Sequence, residues 1–160
     1  MWPLSSSVSP QRMEDLAATY LALAPDRQKA VQMILLERAL LAFESSYPRH
    51  GTTEYSESLC GTSQKFDHSL PSDAIWCITV SEDVANVWVR FGEPICAMQE
   101  GSFELPEPLD FAYYSIYNAF RLHVRAQPID PWLVVNQALS VYPEQAMVSA
   151  LANAIDQAAG

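Results

Sequence analysis

The segment Met33–Phe43 constrains this chain most. It reads Met33-Ile34-Leu35-Leu36-Glu37-Arg38-Ala39-Leu40-Leu41-Ala42-Phe43. Met33, Leu36, Leu40 and Phe43 recur at helical spacing, and Ile34 and Leu41 widen the stripe beyond one face. A helix that is apolar on more than one side must be covered by neighbours on more than one side. The segment therefore predicts a central helix, running from about Pro25 to Ser46, inside a helical bundle.

Its neighbours are marked by proline. Residues 1–9 read as a loose polar lead-in, and Ser9-Pro10 sets a helix start before Met13, Leu16, Tyr20 and Leu23. Ala24-Pro25-Asp26 breaks the chain and restarts it. Downstream, Leu109, Ala112, Tyr113, Ile116, Phe120 and Val124 form the inward side of a strong helix that Gln127-Pro128 closes. Asp130-Pro131 opens the next in cap-then-proline order, with Trp132, Val135 and Leu139 inward. Pro143-Glu144 opens the last, with Met147, Ala150, Leu151, Ala154 and Ile155 inward.

Two stretches break the helical pattern. From Tyr47 to Leu70 the chain is polar and turn-rich, and Glu54 to Leu59 is its one candidate for a short helix. From Asp73 to Met98 two readings compete. Ile75–Val80 has strand composition. Beyond it, Ser81 caps a helix with Val84, Val87, Trp88 and Phe91 as its stripe and Gly92 as its stop; otherwise Val87–Phe91 pairs with Ile95–Met98 in a hairpin. Pro94 lacks the N–H a tight turn uses, which favours the helix. The expected fold is mainly α: a single domain over residues 1–160, a bundle of five or six helices with a small irregular or β element near residues 75–98. The alternative is α+β.

Charge carries the functional signal. The 160 residues bear a net charge of −10, and the stretch from Asp67 to Asp110 holds nine acids against one base, Arg90. That stretch alone is −8, while the segments on either side are each −1. A charge this lopsided attracts basic partners and speeds their encounter. It argues against nucleic acid as a partner, because neutralising phosphates takes Lys and Arg, of which the chain has nine. No apolar run reaches the ~18 residues of a membrane span. Met1–Ser5 shows no secretory n-region or h-region, and three cysteines (Cys60, Cys77, Cys96) in no CxxC spacing fit a reducing compartment, so a cytoplasmic location is expected. Cys77 and Cys96, inside apolar runs, read as buried small hydrophobes.

Catalytic apparatus is sparse. His50, Glu54, Glu57, Cys60, Asp67 and His68 share one loop, but their spacing matches no metal-ligand pattern. Cys60 beside His50 or His68 is the one nucleophile–base pairing available. No phosphate-cradling glycine motif is present. No metal and no cofactor are expected.

Binding residues are easier to nominate. Glu93, Glu100, Glu104, Glu107 and Asp110 alternate with apolar neighbours such as Phe103, Leu105 and Phe111, a pattern suited to meeting a basic protein. Tyr114, Tyr117, Arg121 and Arg125 follow at three- and four-residue steps. They read either as a contact strip or as tyrosines packed under arginine stems, the commoner fate. The sequence thus points to a non-catalytic acidic binding domain, most concretely an inhibitor or immunity protein that neutralises a basic toxin or enzyme. The competing expectations are a small metal- or Cys-dependent enzyme using the 50–68 loop, and an adaptor or subunit that docks through the Tyr–Arg strip.

Overall fold

The structure, a computed structural model, describes residues 12–56 and 63–160. Within them the chain forms seven helices and one two-stranded sheet: α1 (Met13–Leu21), α2 (Pro25–Ser46), β1 (Thr52–Ser56), β2 (Ser63–Asp67), α3 (Leu70–Val80), α4 (Ala85–Glu100), α5 (Leu109–His123), α6 (Pro131–Leu139) and α7 (Glu144–Ala159). The fold is a mainly α bundle with a small β element. None of the described helices is long and apolar enough to cross a membrane.

Helix α2 is central. It packs against α3, α5, α6 and α7, burying Val31, Gln32, Leu35, Leu36, Ala39 and Phe43. Leu41 departs from the sequence expectation: it is 62% exposed, because the neighbouring helices cover the Leu35–Leu36–Phe43 side. Pro25 occupies the first turn of α2 as its fixed φ favours. Asp130 caps α6, its side chain accepting from the Trp132 N–H at 2.9 Å.

Between α2 and α3 the chain forms a hairpin where a helix over Glu54–Leu59 was the candidate. The strands are antiparallel, with Thr53 opposite Phe66 and Tyr55 opposite Gln64; residues 57–62, Cys60 among them, lie outside the described residues. Phe66 is fully buried against Phe43, Tyr47 and Tyr113. His68 fastens the base of the hairpin. Its Nδ1–H donates to the Pro48 carbonyl at 3.1 Å, and its Nε2 accepts from the Thr53 hydroxyl at 2.7 Å, a tautomer assigned from the partners.

The β element is therefore at 52–67 rather than near 75–98, and both ambiguous segments downstream are helical. In α3, Leu70, Pro71, Ala74, Cys77 and Ile78 face the core at helical spacing, and this burial overrides the β-branched composition of Ile75–Val80. Ser81 does not start a helix. It ends α3 in the left-handed region at φ 58°. Helix α4 runs straight through Gly92 and Pro94, so no hairpin forms across them. It stops at Gly101 (φ 80°), where the Ser102 N–H reaches back to the Ala97 carbonyl at 2.9 Å.

One buried polar chain ties four helices together. His123 of α5 donates from Nε2 to the Gln32 side-chain oxygen at 2.6 Å. Gln32 donates to the Tyr20 hydroxyl at 2.7 Å, and Tyr20 donates to the Pro131 carbonyl at 3.3 Å. Burial pushes Tyr20 up to about 12 and His123 down to about 4, with the charge of Lys29 adding to the latter. In the unfolded chain His123 takes up a proton near pH 6.5, whereas the folded form resists it until about 4. The buried neutral imidazole leaves stability intact above the unfolded value and erodes it as pH falls from about 6.5 to about 4. Denaturant midpoints measured across that window should fall with acid in the native protein. His123→Gln should flatten the decline; an identical slope in the variant would contradict the assignment.

Candidate protein-binding groove

The site is built on the outer side of α4, and a ladder of rings determines its shape. From α4, Phe91 and Trp88 insert between Tyr113, Tyr117 and Phe120 of α5. In order, Tyr113–Phe91, Phe91–Tyr117, Tyr117–Trp88 and Trp88–Phe120 lie 4.3, 5.6, 5.7 and 6.1 Å apart between centroids, with interplanar angles of 5–7°. The α4 rings are three residues apart and the α5 rings four and then three, so each helix places them along one face. Tyr113 is also held by its hydroxyl, which donates to the Phe91 carbonyl at 2.8 Å. Burial raises that hydroxyl well above its ordinary pKa, so it stays protonated and donating.

Beside the ladder a groove of about 510 Å³ opens between α4 and the hairpin. Tyr55 and Gln64, opposite each other in the hairpin, form one wall; Tyr117 and Trp88 contribute from the ladder. Helix α4 supplies the rest: Val89, Gly92, Glu93, Cys96, Ala97 and Glu100. Val89 is 55% exposed. Gly92 keeps the floor low. A Cβ there would meet the Tyr117 hydroxyl at 3.6 Å, an ordinary contact, so core packing does not require glycine at this helical position.

The groove is electrostatically one-sided. Among the described residues its lining includes Glu93 and Glu100 and no Lys or Arg. Glu93, Glu100, Glu104 and Glu107 are exposed and form no ion pair with any described residue. Two arginines near the groove are engaged elsewhere. Arg90 pairs with Asp67. Burial works to raise the Asp67 carboxyl, but hydrogen bonds from Ser69 and the Arg90 charge outweigh it and hold the group below its ordinary range. Arg125 pairs with Asp83 at 2.8 Å and lies 4.8 Å over the Trp88 ring.

The residues nominated from sequence divide accordingly. Glu93, Glu100 and Tyr117 meet in the groove. Glu104 and Glu107 follow on the connection to α5. Asp110 sits in the first turn of α5 and accepts the Phe111 N–H at 2.7 Å. Tyr114 is half-buried beside Asp110; burial, then that carboxylate, raises its hydroxyl. Arg121 is held by Gln127 and Asn118 at 2.8 and 3.2 Å and lies over Tyr117, so the Tyr–Arg strip is largely occupied within the chain. Phe103 and Leu105 are not surface anchors between the acids. They are buried, and Phe103 packs on Tyr55 and Phe66 at 4.8 and 5.3 Å. Cys96 is exposed rather than buried. Val89 and Cys96, seven residues apart, were missed as groove residues; a helix continued through Pro94 puts them on one face.

The other chemistry-bearing residues form no comparable arrangement. Both ring nitrogens of His68 are engaged at the hairpin base, and among the described residues no three metal-ligating side chains come together. A second groove of about 440 Å³ near His123 combines Lys29 with Asp26 and thus carries both signs of charge. No family model matches the chain, and neither does any curated protein or solved structure.

The ladder makes a specific demand on stability. Phe91 is 1% exposed and touches two rings of α5, so Phe91→Ala should cost about 3–5 kcal/mol. Urea unfolding measures this, and a loss below about 1 kcal/mol would mean the stack does not hold α4.

Proposed function

We propose that this chain is a non-catalytic binding protein that engages a basic protein through the α4 groove and the acidic connection beyond it. The observation that carries the reading is the groove itself: a concave surface with aromatic walls and two exposed carboxylates that, among the described residues, have no ion-pair partner and share the lining with no cation. Such a surface steers a positively charged partner and then gives it apolar area to bury. The most concrete form of the proposal is a cytoplasmic inhibitor or immunity protein that covers the cationic site of a toxin or enzyme.

A second reading, adaptor or assembly subunit, has one feature in its favour. Trp76 and Val80 lie one turn apart on α3, 52% and 42% exposed, an apolar patch whose contacts would resist salt.

Affinity capture from host lysate at low and high salt separates the two. The first reading expects a basic protein, retained at low salt and weakened at high salt. Capture that is indifferent to salt supports the adaptor. With the partner in hand, Glu100→Lys, Glu104→Lys and Glu107→Lys together should leave the fold intact, since none of the three has an ion-pair partner among the described residues. They should slow association by at least about tenfold. An unchanged on-rate in stopped-flow mixing would remove the acidic surface from the mechanism.

A further inference from the structure

The spacing of the carboxylates on α4 narrows the partner's chemistry. Glu93 and Glu100 are seven residues apart on one continuous helix, so they share a face and stand about 10.5 Å apart along the axis. A helix matches this separation with cations at i and i+7, which also share a face. A strand does not: its same-face positions recur at about 6.7 and 13.4 Å. The groove floor from Val89 to Glu100 is about 16 Å long at 1.5 Å per residue, three helical turns. Along α4, on either side of Glu93 and before Glu100, the floor is apolar or small, with Val89, Gly92, Cys96 and Ala97; Tyr55, Tyr117 and the polar Gln64 stand at the sides.

We infer that the groove receives an amphipathic helix of the basic partner, with Lys or Arg seven residues apart meeting Glu93 and Glu100 and an apolar side chain between them seated over Gly92 and Cys96. This inference rests on the binding function proposed above and specifies what the groove reads. The mode is helix-in-groove recognition, in which anchors at i, i+3 or i+4, and i+7 face one surface. Charge complementarity selects the occupant. The floor offers no cation to an acidic helix, and an uncharged helix would leave two carboxylates partly desolvated without partners. Gly92 fits the same role, because a larger side chain there would occupy the space the partner's central residue needs.

The test uses the intact protein and end-blocked, alanine-rich synthetic peptides with a single central leucine. One carries two lysines seven residues apart. A second has the same composition with the lysines five apart, placing them on roughly opposite helix faces. A third replaces both lysines by glutamine. Fluorescence anisotropy at low salt gives affinities, and circular dichroism follows helix formation. The seven-spaced peptide should bind at least about tenfold more tightly than the other two and gain helicity on binding. It should lose that advantage against the Glu93→Gln/Glu100→Gln variant and against Gly92→Leu. Equal binding of the two lysine peptides would overturn the helical register while leaving an acidic binding surface in place. Equal binding of the glutamine peptide would overturn the charge reading. No binding of any peptide would overturn the groove as a helix receptor, and the charge-reversal on-rate with the captured partner would then judge the wider function on its own.

Discussion

The interleaved rings of α4 and α5 are the interaction on which the rest depends. Phe91 and Trp88 enter between Tyr113, Tyr117 and Phe120, so the two helices meet through near-parallel aromatic faces. Offset parallel rings bury large apolar area with specific geometry. Beside this stack the groove opens along α4, with Tyr55 and Gln64 of the hairpin forming one wall. Through Tyr113 the same stack reaches Phe43 of the central helix and Phe66 of the hairpin, so the core and the groove share one aromatic framework.

The ladder also shapes the charge. Arg125 lies over Trp88 and pairs with Asp83; Arg121 lies over Tyr117 and is held by Asn118 and Gln127. Both arginines are thereby held in contacts within the chain. Of the nine acids between Asp67 and Asp110, Asp67 and Asp83 are neutralised in place. Glu93, Glu100, Glu104 and Glu107 remain as an exposed negative band with no ion-pair partner among the described residues.

Much of this was legible in the sequence, for reasons that can be assigned. Helices α2, α5 and α6 combine helical periodicity with proline or a capping residue at their starts, two independent signals that agree. The hairpin was hidden because its ten strand residues include only two aromatic or aliphatic side chains, Tyr55 and Phe66, too few to display a period of two. Helix α3 was obscured by β-branched residues whose preference yields to burial of Ala74, Cys77 and Ile78. In α4, Gly92 and Pro94 imitate a stop, and placing one there separates Val89 from Cys96 and Glu93 from Glu100. The acidic clustering could be counted directly, but the ion pairs that leave part of it uncompensated depend on contacts between Arg90 and Asp67 and between Arg125 and Asp83, far apart in the chain.

Cys96 offers the most direct check on where a partner sits. It is exposed within the groove, whereas Cys77 is buried and its thiol is pushed up chiefly by burial, so the two differ as sites of alkylation. The rate of Cys96 alkylation, resolved by peptide mass spectrometry, should be measured for the free protein and for its complex with the captured basic partner. Occupation of the α4 groove predicts at least about tenfold protection of Cys96 in the complex, lost as salt dissociates it. A Cys96 rate unchanged in a fully formed complex would place the partner elsewhere and contradict the account.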